Sequence, residues 1–307
     1  MNKRLLGVFF VIITILCCSF FLSCSEPMGG ESNSESESES KTEILDNDLS
    51  DYYYEMNTDN TCTITGVKDK SIEEVHIPAC VTKIKGSAFE GCANIKGVYT
   101  PSLEAWCNID FIKDEKYYSY PYLYHYQSNP FVANFLCHIG IEEFIPVDFY
   151  VNGVLTTDIV IPNTVDEIKS FAFSFSNITS LKTSNSVTSI GFGAFVSCNN
   201  LLSVEIGDGV TTIRTGAFSS CQSLTSVVIG ANLMEIELAA FSGCSLLNAV
   251  YYKGNAEGWN GISIDNLEDG NIELINATKY YYCDSQTEVP TDGNYWFYNE
   301  DGEIEVL

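Results

Sequence analysis

Apolar residues recur along this chain in one frame of about 23 positions. Ala-Phe pairs stand at Ala88-Phe89, Ala172-Phe173, Ala194-Phe195, Ala217-Phe218 and Ala240-Phe241, and the last four alanines are 22, 23 and 23 residues apart. Four residues before each alanine comes Ile84, Ile168, Ile190, Ile213 or Ile236, and seven before comes Val81, Val165, Val187, Val210 or Leu233. Four residues after come Cys92, Ser176, Cys198, Cys221 and Cys244. Two later phases hold Ile95, Leu201, Leu224 and Leu247, then Val98, Val204, Val227 and Val250. The second unit is one residue short after Ser176, so Ile178 and Leu181 take over those two roles.

A unit this short cannot bury its own apolar side, so the repeat predicts a solenoid in which each coil stacks on the next. Stretches such as Leu224–Ile229 alternate well enough to be strands. Parallel pairing between coils at ~4.8 Å would then set Ile over Ile, Val over Val, Phe over Phe and Cys over Cys. Gly207, Gly209, Gly230, Ile77-Pro78 and Ile161-Pro162 mark the turns. The expected fold is mainly β with short turns or helical turns. It has an irregular insert at about 98–150 and a C-terminal cap at about 251–307.

Two modules share a Glu-x-Trp-x-x-Ile-x-apolar pattern, Glu104 to Phe111 with Trp106 and Glu257 to Ile264 with Trp259. Each is expected to be an irregular coil whose tryptophan closes the apolar column. Asn152-Gly153, after Phe149-Tyr150-Val151, is a two-residue hairpin signal. Tyr295–Tyr298, Asp301-Gly302 and Ile304–Val306 predict a second hairpin, which would blunt the open end of the stack.

The N-terminus has a different character. Lys3 and Arg4 precede an uncharged apolar run from Leu5 to Leu22 that stops at Ser23-Cys24, the layout of an export signal. Phe21-Leu22-Ser23-Cys24 is similar to a bacterial lipobox, with leucine two rather than three residues before the cysteine. Residues 1–23 are therefore expected to be a lipoprotein signal peptide and Cys24 the lipid attachment site, holding the chain to a membrane through acyl chains. A plain cleaved signal with free secretion is the alternative.

Residues 24–60 carry eleven acids against Lys41 alone. So polar a segment buries too little to offset ordering entropy, and it is expected to be a disordered Ser/Glu-rich stalk before a repeat domain at 61–307. Removal of residues 1–23 moves the formal net charge from −26 to −28. Such a chain repels phosphate, so nucleic acid is not an expected partner.

The Val-Thr-x-Ile-x-x-x-Ala-Phe-x-x-Cys-x-x-Leu unit, read at Val210 through Leu224, resembles the BspA-like leucine-rich-repeat proteins of bacterial surfaces. The Trp106 and Trp259 modules, Asn129-Pro130 and the tail from Asn276 through Trp296 share the resemblance. It implies a right-handed leucine-rich-repeat solenoid and roles in adhesion, host-protein binding or coaggregation. It brings no catalytic residues and does not name a ligand.

Candidate chemistry is sparse. Four of the twelve cysteines occupy one repeat phase without Cys-x-x-Cys pairing, which points to buried thiols rather than a metal site. Cys62 with Cys80 is the one tentative bridge. His76, His125 and His138 sit in no nucleophile, zinc or general-base motif. No catalytic residue, metal or cofactor is expected.

Tyr118, Tyr120, Tyr122, Tyr124 and Tyr126 would share one face if extended, forming a candidate binding surface for proteins or sugars, or else packing on the solenoid flank. The expected function is therefore binding of host or neighbouring-cell surface proteins or glycans by an exported, lipid-anchored, surface-exposed chain. A structural envelope lipoprotein without external ligand and a glycan- or peptide-processing enzyme are the alternatives.

Overall fold

A computed structural model describes residues 48–112, 130, 146–284 and 293–307. The chain forms a β-solenoid of about seven turns, whose short strands pair mostly in parallel along two sides and fall into four sheets among the described residues. In the N-terminal half one sheet runs β1 (Tyr52–Met56), β2 (Cys62–Val67), β4 (Val81–Lys85) and β6 (Asp110–Ile112). The other runs β3 (Glu74–His76), β5 (Gly97–Thr100), β7 (Asp148–Val151) and β8 (Val154–Leu155).

In the C-terminal half the first sheet contains two-residue strands β10 (Glu167–Ile168), β12 (Ser189–Ile190), β14 (Thr212–Ile213), β16 (Glu235–Ile236) and β18 (Ser263–Ile264). The second begins with β9 (Asp158–Val160), β11 (Ser180–Lys182), β13 (Ser203–Glu205) and β15 (Ser226–Ile229). It continues through β17 (Ala249–Tyr252), β19 (Thr278–Tyr282), β20 (Tyr295–Tyr298) and β21 (Ile304–Val306).

Register makes the repeat physical. Ile168, Ile190, Ile213, Ile236 and Ile264 pair in succession, as do Ile159, Leu181, Val204, Val227 and Val250. Phe173, Phe195, Phe218 and Phe241 form one buried row, with adjacent ring centroids 5.2–5.3 Å apart and planes within 19° of parallel. Between the Ile and Phe columns the backbone must turn tightly. Phe171, Gly193, Gly216 and Ala239, each just before the repeat alanine, all take positive φ, between 56° and 65°. Glycine fits that conformation freely, whereas Phe171 and Ala239 occupy it at a cost.

The repeat cysteine has a backbone task. Cys198, Cys221 and Cys244 donate S–H to the carbonyls of Phe173, Phe195 and Phe218 in the preceding coil at 3.0–3.1 Å. A small apolar side chain with one weak donor suits a dry position facing a carbonyl. Serine at 176 turns instead to its own coil, donating to Phe173 O at 2.7 Å. Burial pushes the Cys198 thiol up to about 12, so it stays protonated and unreactive.

The ends of the regular ladder are closed by mimicry. Within it, the N–H groups of Phe173, Phe195 and Phe218 donate to the carbonyls of Ala194, Ala217 and Ala240 in the next coil. At the first end the Ala172 carbonyl has no regular coil before it, and the Trp106 indole N–H supplies the donor at 2.9 Å. Trp106 is carried by helix α1 (Leu103–Cys107), which is N-capped by Ser102, and is fully buried.

At the other end Phe241 N–H finds the side-chain oxygen of Asn271 at 3.0 Å, and Gly243 N–H finds Glu273 at 3.0 Å. Asn271 is itself fully buried, and its amide donates to the Glu237 and Asp265 carbonyls. The buried ladder groups thus keep partners at both ends of the stack.

Two expectations change. Trp259, on helix α2 (Ala256–Asn260), does not close the Phe column; Asn271 and helix α3 (Ile272–Asn276) do, because the last N–H groups of the ladder need acceptors and an indole has none. Trp259 packs edge-on against Tyr252 instead, at 5.7 Å. The expected stalk reached residue 60, yet β1 pairs antiparallel with β2, and Tyr52 is buried with its hydroxyl donating to His76 O at 2.8 Å. That one aromatic anchors a strand that composition alone counts as solvated. Cys62 and Cys80, the tentative bridge, stand side by side as thiols, with Cys62 S–H donating to Cys80 Sγ at 3.0 Å.

Both hairpins are present. β7 and β8 join through Asn152 and Gly153, both at positive φ, and β20 and β21 pair antiparallel across Gly302.

Candidate binding face

On the β3-to-β19 face the column residues, such as Val98, Val204 and Val250, are buried in the core, and alternation turns the next side chain to the other side of the sheet, where Val228 is itself covered. The residue after each core position therefore forms an outward row. In the N-terminal half this row is His76, Tyr99 and Tyr150, following Val75, Val98 and Phe149. In the C-terminal half it is Val160, Lys182, Glu205, Val228, Tyr251 and Tyr280. Aromatic rings thus stand at both ends with smaller or charged side chains between them.

Among the described residues no further ring packs on the N-terminal stack. His76 and Tyr99 lie 4.3 Å apart at 21°, and Tyr99 and Tyr150 lie 4.3 Å apart at 6°. Gly97 makes room for both tyrosines, since a Cβ there would come within 3.0 Å of the Tyr99 ring and 3.2 Å of the Tyr150 ring. Glu74 borders the stack, accepting from the Tyr99 hydroxyl at 3.2 Å and lying 3.5 Å from His76 Nε2. Burial and the Glu74 charge raise the Tyr99 phenol, so it stays a neutral donor. All three rings remain partly exposed. Flat rings with polar tips beside a carboxylate can stack on sugars or grip a protein side chain.

The chain's own hairpin packs against the C-terminal stack, whose rings stay partly exposed. Tyr251 and Tyr280 stack at 5.1 Å, and Trp296 meets Tyr251, Tyr282 and Tyr298 edge-on at 5.0–5.6 Å. The buried Trp296 indole donates to Tyr252 O at 3.1 Å. Tyr298 reaches further back, its hydroxyl donating to Glu205 on β13 at 3.1 Å. Lys182 and Lys253 also hold Glu205, at 2.8 and 3.3 Å. Burial would raise this carboxyl, but the two ammonium groups outweigh it and keep it below its usual range.

Lys279 ends the inward column: its ammonium binds the Leu274, Ile275 and Ala277 carbonyls at the C-terminus of α3.

The expected Tyr118, Tyr120, Tyr122, Tyr124 and Tyr126 surface, and Cys24, lie outside the described residues. The sequence reading missed His76, Tyr99 and Tyr150, although a signal exists: His76 and Tyr99 stand 23 residues apart in one phase, each directly after a column valine. Among the described residues no group of three His, Cys, Asp or Glu side chains is placed to hold a metal ion.

A family model for the BspA type leucine rich repeat region matches six times, over residues 67–119 and 143–260, more than half of the chain. The chain belongs to this family. Solved structures similar to this BspA-type chain include the leucine rich repeat protein of T. pallidum, at 17% identity, covering 76% of this chain and 97% of that one, with a TM-score of 0.43. A leucine rich cell surface protein from Faecalibacterium prausnitzii is 20% identical, with 75% and 99% covered and a TM-score of 0.31. The pneumococcal vaccine antigen PcpA is 15% identical, with 78% and 66% covered and a TM-score of 0.37. Comparison with curated proteins finds no match.

Proposed function

We propose that this BspA-type protein is exported, anchored by lipid on Cys24 and displayed at the cell surface, where it binds host or neighbouring-cell proteins or glycans without catalysing a reaction. The observation that carries this reading is the open stack of His76, Tyr99 and Tyr150. Its C-terminal counterpart, also partly exposed, is packed against Trp296 of the hairpin, whereas among the described residues no further ring packs on these three, which lie partly exposed beside Glu74. The apolar run at 5–22, ending at Ser23-Cys24, and the acidic composition after Cys24 support export and display.

Protease shaving of intact cells tests display: release of the repeat domain is expected, and protection would favour an envelope protein facing inward. Incubating shaved and unshaved cells with an immobilised panel of glycans and extracellular proteins tests binding. Capture should be lost on shaving and in a Tyr99→Ser/Tyr150→Ser variant that remains folded. Equal capture by that variant would remove the stack from the reading.

A further inference from the structure

Cys62 and Cys80 differ from Cys198, Cys221 and Cys244 of the repeat column. In the column, Cys198, Cys221 and Cys244 spend their S–H groups on backbone carbonyls and are fully buried. Cys62, at the start of β2, instead points its S–H at Cys80 Sγ, 3.0 Å away in the turn before β4. A direct hydrogen bond from Cys62 N to Cys80 O, 2.6 Å long, ties the same two residues through their backbones. Such a contact holds the Cα atoms within the span, about 4.4–6.8 Å, that a disulfide requires. The register of β2 against β4 also shifts between Cys62 and Thr63, so the local backbone is already irregular where a bridge would sit. Cys62 is buried and Cys80 is partly exposed, which leaves one sulfur for an outside reagent to reach.

We propose that Cys62 and Cys80 form an oxidation site, closed into a disulfide by exchange with a disulfide-bearing oxidant. The Cys80 thiolate attacks one sulfur of the oxidant and forms a mixed disulfide. Cys62 then attacks Cys80 Sγ and expels the reduced oxidant, whose two sulfurs gain the two protons given up by the cysteines. Burial, followed by the contact with Cys62, raises the Cys80 thiol to about 12, so exchange in the folded chain is slow at neutral pH and quickens as pH rises. The bridge adds a covalent tie between the β1–β2 hairpin and the first coil, beside the strand pairing and the buried Tyr52. Its occurrence in cells rests on the export proposed above, since reducing compartments keep thiols open.

The test uses the full chain. Reduced protein is incubated with oxidised glutathione, then denatured, alkylated without reduction and mapped by mass spectrometry. The expected product joins the Cys62 and Cys80 peptides and is lighter by two hydrogen atoms, while Cys198, Cys221 and Cys244 are alkylated. Adding reductant should lower the thermal midpoint by roughly 5–10 °C, and a Cys62→Ser/Cys80→Ser variant should show no such response. Alkylation of both residues, or Cys80 left as its glutathione adduct, would overturn the proposal. The same map on protein from the cell envelope separates the two readings: a bridge formed with glutathione but absent there would count against export, not against the pair.

Discussion

The two aromatic stacks on the outward face are made of the same parts and used in opposite ways. At the N-terminal end His76, Tyr99 and Tyr150 stack on consecutive strands, and the exposed parts of the rings meet solvent. At the C-terminal end Tyr251 and Tyr280 stack likewise, but Trp296 and Tyr298 fold over them and bond to β17 and β13. The difference lies in the segment that each stack leads into. After Tyr280 the strand continues into a hairpin that must cover an open end, so its rings become a lid. After Tyr150 the chain turns back at Asn152-Gly153 into β8, which pairs at the strand edge. A stack that seals the fold should matter for stability, and a stack left open should matter for what the fold binds.

The largest effect that would sharpen this contrast is expected from Trp296→Ala. Loss of a fully buried indole should cost about 3–5 kcal/mol, measured by denaturant unfolding, and should expose residues 295–306 to proteolysis. Tyr298→Phe removes one hydrogen bond to Glu205 and should cost about 1 kcal/mol in the same assay. Tyr150→Ser on the open stack should cost about 1 kcal/mol or less, the worth of one aromatic pair near the surface. A larger loss from Tyr150→Ser than from Trp296→Ala would break the distinction.

Acid offers a smaller, graded test. The Glu205 carboxyl titrates below its ordinary 4.5 in the folded chain, so its contribution is present above that value and fades as pH falls through the folded one. Proteolysis of the C-terminal hairpin should therefore rise below pH 4.5, while Tyr298→Phe, which cuts the hairpin's hydrogen bond to Glu205, should start from a higher level and rise less.

Sequence periodicity revealed the part of the fold that repeats. Column positions such as Ile213 and Phe218 recur because every coil imposes the same burial on them. Asn271 and Glu273 were not legible: each acts once, replacing the backbone carbonyl of a further regular coil, and a single polar residue leaves no period. Trp106 was visible as part of a duplicated module, but its bond to Ala172 O depends on a contact across 66 residues. The open stack was half legible, since His76 and Tyr99 keep the repeat spacing, whereas Tyr150 comes after an insert that breaks it. Glu205 and Tyr298 meet across 93 residues, and nothing in the local pattern of either announces the other.

Hydrogen exchange on the full chain, alone and with a ligand recovered from the glycan and protein panel, tests the division of labour between the two stacks most directly. Slower exchange is expected in residues 97–100 and 148–151, which carry Tyr99 and Tyr150, with residues 295–306 unchanged. Protection confined to residues 295–306, with β5 and β7 unaffected, would contradict it.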